Sequence, residues 1–201
     1  MKINKTRKIA VIIPVRMGSK RLKNKNILPI KNNPMFVHVV KNLKRSSSKF
    51  NLFVSSESTI IRNICDSHNI NFINRPSRLS LDHVEKHEAI VHATKLLKTK
   101  YKYVPKIVVS LQANTPEFSH TDFDKALKFF KTKLYVGKPV KELISVNPDN
   151  IQNGAFRILT NKAVYQKTLS TKIGIFFTNY LDIHSKKEYL KVKKKLENEK
   201  N

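Results

Sequence analysis

The stretch KIAVIIPV (residues 8–15) decides the fold: an apolar, largely β-branched run that breaks off into the cationic loop RMGSKRLKNKN (residues 16–26). A run without alternation suits a strand buried on both faces, as in a parallel sheet covered by helices on each side. The loop places Arg16, Lys20, Arg21, Lys23 and Lys25 around the Gly18-Ser19 pair, with no acid among them. Ligands of open α/β sheets bind at the carboxyl ends of the strands. This loop is therefore the first candidate for holding an anion.

Outward from that strand, apolar runs and amphipathic segments alternate. NPMFVHVVKNLKR reads as a helix with Asn33 as its cap and Pro34 at its first position. FNLFVSS is a second strand. ESTIIRNICDSHN is a helix that puts Ile60, Ile61, Ile64 and Cys65 on one side. INFI, KIVVSLQ, LISV, GAFRIL and IGIFFT read as further strands, and EKHEAIVHATKLLK as a helix. TDFDKALKFFK is expected to open on a capping box of Thr121 and Asp124, and SKKEYLKVKKKL on one of Ser185 and Glu188. Strands alternating with helices predict an α/β fold around a mainly parallel central sheet. No repeat, linker or composition break divides the chain, so residues 1–201 are expected to form a single domain.

Composition narrows the partners. Forty Lys and Arg stand against fourteen Asp and Glu, a formal net charge of +26. No acid precedes Glu57, while fourteen of the basic residues lie in the first fifty positions. Such a surface attracts polyanions, whether nucleic acid, acidic lipid or phosphorylated metabolites. Cys65 is the single cysteine, which excludes a disulfide framework and a cysteine zinc site. Basic residues precede the run at residues 9–15, but Pro14 breaks it and Arg16 ends it, unlike a secretory signal. No stretch approaches the roughly 20 apolar residues of a membrane span. A cytoplasmic protein without membrane attachment is expected.

Neither common phosphate cradle is present. The four glycines (Gly18, Gly137, Gly154, Gly174) complete no G-x-x-x-x-G-K-[ST] and no G-x-G-x-x-G. Phosphate would have to be held by Arg and Lys charge, the Ser19 hydroxyl and loop amides. The histidines of HVEKHEAIVH do not form a metal site: His87 and His92 are separated by about 140° around a helix. Lys193, Lys194 and Lys195 read as a solvated helix face, and Cys65 as core.

PVRMGSKRLKNKN resembles the N-terminal signature of the CMP-sialic acid synthetase family, P/L-x-R-x-x-S-K-x-x-x-x-K-N. Pro14, Arg16, Ser19, Lys20, Lys25 and Asn26 fall into register without a gap. FVSSES, NRPSRLSLD, LQANTP, NGAFRI and LDIHSKKEY resemble later blocks of the family in the same order. The related 3-deoxy-manno-octulosonate enzymes share the first block but not its K-N pair.

The resemblance implies a Rossmann-like, three-layer nucleotidyltransferase fold and a cytidylyltransferase that joins CMP from CTP to an acidic sugar with release of pyrophosphate. It implies catalytic roles for Arg16, Lys25 and Asp182. Nucleotide contacts would come from Arg16, Gly18, Ser19, Lys20, Lys25, Asn26 and Arg75, with Asn26 and Arg75 at the cytidine. Gln112 and Asn114 would face the sugar. Asp182 and His184 would hold Mg²⁺, with Mn²⁺ as the second choice.

Four departures stand out. His184 takes the place of the second aspartate in the family's D-I-D motif, and Asn114 stands where the sialic acid enzymes have threonine. Arg157 replaces a hydrophobic or aromatic residue. NPDNIQ alone joins LISV to NGAF, so the sugar-binding and dimerising insertion is expected to be shortened and the protein to be a monomer or an altered homodimer. A nucleotide-binding member without turnover is the alternative function. A basic nucleic-acid binder is more distant, because aromatic-interleaved basic motifs are absent and no specific nucleic acid is expected.

Overall fold

The computed structural model describes residues 2–135, 139–166, 168 and 171–199. In chain order its elements are β1 (Ile9–Pro14), β2 (Pro29–Ile30), β3 (Asn33–Pro34), α1 (Met35–Lys44), β4 (Asn51–Ser56) and α2 (Thr59–Ser67). Then come β5 (Asn71–Asn74), α3 (Lys86–Thr99), β6 (Ile107–Leu111), α4 (His120–Tyr135), β7 (Glu142–Val146), β8 (Gln152–Thr160), β9 (Ile173–Phe177) and α5 (Lys186–Asn198).

Seven strands form one sheet in the order β5-β4-β1-β6-β8-β7-β9. β1 is central and pairs in parallel with β4 on one side and β6 on the other. β8 runs antiparallel to both its neighbours, and β9 returns parallel to β7. Alternate residues of β1 serve opposite layers. Val11 and Ile13 pack with α1, α2 and α4, while Ala10 and Ile12 pack with α3. The expected three-layer sandwich is thereby formed, each fully buried Ile or Phe contributing about 1.5–3 kcal/mol.

Three local expectations fail. Asn33 does not cap α1, because Lys31 (φ 45°) and Asn32 (φ 60°) turn the chain and pair Ile30 with Asn33. Two successive positive φ values are those of a tight hairpin turn. The first helical amide, of Met35, donates instead to the Leu28 carbonyl. Thr121 and Asp124 form no capping box either: Asp124 accepts hydrogen bonds from Ser46, Ser47 and Ser48, on the loop after α1. Ile60 is exposed, whereas Ile61 and Cys65 are buried as read. The Ser185–Glu188 box does form and starts α5, which packs on the β2–β3 ribbon through Tyr189, Val192 and Leu196.

Candidate functional site

From β1 the chain winds outward to β4 and β5, then crosses back to lay β6 against the other edge of β1. Such a switch point leaves a crevice beyond the strand ends. A cleft of about 540 Å³ opens there, within the range of roughly 300–1,000 Å³ for small-molecule sites. Arg16, Ser19, Lys20, Arg21, Lys25 and Asn26 line it from the loop after β1. Asp82, Glu85 and Lys86 line it from the approach to α3, and Gln112, Asn114 and His184 complete it.

The loop is held by acids from elsewhere in the chain. Arg16 and Lys20 both pair with Asp82, at 2.8 and 2.9 Å. Lys25 is half-buried; desolvation lowers its pKa, Asp182 opposes that shift, and Arg21 and Arg16 reinforce it. Asn26 is buried and donates to the Arg16 carbonyl, fixing the loop's course. A Cβ at Gly18 would meet nothing within 4 Å, so steric need does not explain that glycine. Gly18 is also absent from the residues that line the cleft.

Arg75 sits beneath the loop. Its Nη2 donates to Glu57 and to the Val15 carbonyl, and its Nε to Ser80. Glu57 also accepts from the Met17 amide. Burial pushes the Glu57 carboxyl up, but hydrogen bonds from Ser80, Met17 and Arg75 prevail and hold it low. Arg75 borders the cleft, yet its Nε and Nη2 are committed to protein. Asn114 is likewise a tie: its Nδ2 donates to the Ile183 carbonyl, while the Ile183 amide donates to the Asn114 carbonyl.

That double link brings Asp182 against the end of β6. Thr115 Oγ1 donates to Asp182 Oδ1 at 2.6 Å, and Gln112 Nε2 donates to Oδ2 at 3.0 Å. Burial raises the Asp182 pKa; the Thr115 bond and the charges of Lys86, His184 and Lys25 oppose the rise. His184 is held below its usual value by burial and by Lys25, so its imidazole is neutral near pH 7. Gly154, at φ +66°, leaves room for Gln112, whose Nε2 lies 2.3 Å from where a Cβ would be. Asn153 sustains that irregularity of β8 by accepting from Ser145 and donating to Thr178.

A sequence model of the cytidylyltransferase family matches residues 10–190, from β1 into α5. The chain belongs to the cytidylyltransferase family. It is 30% identical over 125 residues to an N-acylneuraminate cytidylyltransferase of Escherichia coli, covering 62% of this chain and 29% of that protein. A namesake from Streptococcus agalactiae is 28% identical over 153 residues, covering 75% and 35%. The chain thus spans about a third of the length of these curated relatives. A solved CMP:2-keto-3-deoxy-manno-octonic acid synthetase, complexed with CTP, superposes with a TM-score of 0.78 at 14% identity. The match covers 96% of this chain and all of that one, and shows a shared fold.

Several members of the cleft are not marked as such by the sequence. Lys86, the first residue of α3, had been read only as part of an amphipathic helix. Glu57, Asp82 and Thr115 lie within the blocks FVSSES, NRPSRLSLD and LQANTP, but nothing local assigns them a part, since each acts on a partner distant in sequence. Arg157 does not stand in the cleft as a free cation: it pairs with the buried Glu142 and approaches His87.

The residues present do not fit a resident Mg²⁺. That ion takes near-octahedral oxygen ligands and usually one or two carboxylates. Here Asp182 already accepts a hydrogen bond on each oxygen, and the charges of Lys86 and Lys25 act on it. Among the described residues, no three His, Cys, Asp or Glu side chains converge as a metal site. Among those residues also, no helix is long and apolar enough to cross a membrane.

Proposed function

We propose that this chain transfers a cytidylyl group from CTP to an acidic sugar of the sialic acid or octulosonate type, releasing pyrophosphate. The observation that carries the reading is the cationic loop after β1, set at the switch point of a cytidylyltransferase fold. The names of the relatives, which act on N-acylneuraminate or 3-deoxy-manno-octulosonate, support the acidic sugar.

In this reading the sugar hydroxyl attacks the α-phosphorus, a new O–P bond forms, and the bond to the β-phosphate oxygen breaks. Little covalent work falls to the protein, so orientation and charge stabilisation dominate. Arg16, Lys20 and Lys25 take the triphosphate, with the Ser19 hydroxyl beside them. Arg75 and Asn26 keep the loop in shape beneath it. Gln112, oriented by Asp182, meets the sugar. No step is routed through a metal.

Incubating the chain with CTP and a panel of acidic sugars, and following pyrophosphate release, tests the proposal. Release that depends on one of those sugars supports it. Thermal stabilisation by CTP without release on any sugar selects the reading of nucleotide binding without turnover. That second reading is favoured by β7 passing into β8 through residues 147–151 alone, which leaves no further segment there to cover a sugar. The same short connection favours a monomer.

A further inference from the structure

The mechanism above gives no part to Lys86, which lines the cleft beside a carboxylate that accepts a hydrogen bond on each oxygen. Lys86 opens α3 and lines the cleft. Its Nζ lies 3.6 Å from the position a Cβ on Gly154 would take, beside the amide of Gln112 that fills the same space. Gln112 in turn donates to Asp182. The ammonium thus lies near Gly154 and Gln112, in the field of Asp182.

Charge around that point is unusual for a metal site. Asp182 is engaged by Thr115 and Gln112, and His184 offers a nitrogen where Mg²⁺ favours oxygen. A divalent cation placed there would also meet the repulsion of Lys86 and Lys25. Both lysines line the cleft and act on Asp182, so they bring there the kind of positive charge that such a cation brings to a nucleoside triphosphate.

We infer that Lys86 supplies, together with Lys25, the positive charge that a divalent cation would otherwise bring to the triphosphate, so that nucleotide binding in this cleft is independent of metal. Asp182 then acts as a positioning residue, holding Gln112 and the two ammonium groups in register. This rests on the nucleotide reading of the cleft. It adds Lys86 as a ligand-binding residue and removes the metal from the requirement.

Isothermal titration calorimetry of CTP into the full chain tests the inference, first in EDTA and then in millimolar Mg²⁺ at matched ionic strength. The wild type is expected to bind equally in both, within a few-fold. Lys86→Ser should lower the metal-free affinity by about tenfold or more, the factor carried by a charge-assisted hydrogen bond. Mg²⁺ should recover part of that loss, and Lys86→Arg should retain metal-free binding. Wild-type binding that vanishes in EDTA and returns with Mg²⁺ overturns the inference while leaving the nucleotide reading intact. So does a Lys86→Ser variant that binds like the wild type. No binding in either buffer removes the nucleotide reading and this inference with it.

Discussion

Arg75 and Glu57 are joined at 2.9 Å beneath the loop after β1, the arginine side chain 3% exposed and the glutamate 17%. Desolvation lowers the Arg75 pKa, and the bond to Glu57 opposes the shift. The pair reaches both ends of the loop's root, through the Val15 carbonyl and the Met17 amide. A residue expected to read the cytidine is therefore first a fastening for the loop after β1.

Removing the acid should strand that cation. Glu57→Ala is expected to destabilise the chain by about 3 kcal/mol, the cost of breaking a buried pair from one side. Urea denaturation at neutral pH measures it. A loss below about 1 kcal/mol, the value of a solvated surface pair, would count against this role.

On the loop itself, Arg16→Ala and Lys25→Ala should each weaken CTP binding by about 1.5–3 kcal/mol. Asp82→Asn should act the other way. It frees Arg16 and Lys20 from their carboxylate, so triphosphate affinity rises a few-fold, most clearly at low salt. Calorimetry on the three variants would reject the triphosphate assignment if affinity stayed flat across them all.

Asp124 links α4 to the serine loop and confers pH dependence. Burial pushes its carboxyl up, but the donors of Ser46, Ser48 and Ser47 prevail and hold it at about 2. A depressed folded pKa stabilises above the unfolded value of about 3.9 and loses that contribution as pH falls toward about 2. Asp124→Ala should therefore cost about 1–2 kcal/mol near pH 7. The gap to wild type in urea midpoint should close between about pH 4 and pH 2. A gap that stays constant with pH would mean the carboxylate charge is not what binds the loop.

Gly154→Ala should harm the site more than the fold. A Cβ there would stand 2.3 Å from Gln112 Nε2, at a φ of +66°. Backbone strain costs about 1–2 kcal/mol, and Gln112 must leave Asp182. Turnover should fall by about tenfold or more, with CTP affinity far less affected. Unchanged turnover would place Gln112 outside the reaction.

The strands, most of the helices and the location of the cleft were legible in the residues themselves. Apolar runs at β1, β4 and β6 answer to local periodicity, and the Ser185–Glu188 cap of α5 closes within one turn. The signature around Arg16, Ser19, Lys20 and Lys25 was likewise complete within a few positions. Tertiary structure alone decided what each polar side chain was bound to. Asp124 is the plainest case, since its spacing from Thr121 promised a cap and three serines from another loop claimed it. Arg75, Asn26 and Asn114 came out as fastenings, and Lys86 as part of the cleft, because the crossover from β5 to β6 folds α3 over β1. Hydrophobic periodicity is a property of neighbours along the chain. The partner of a charge is settled by whichever groups the folded sheet brings within hydrogen-bonding distance.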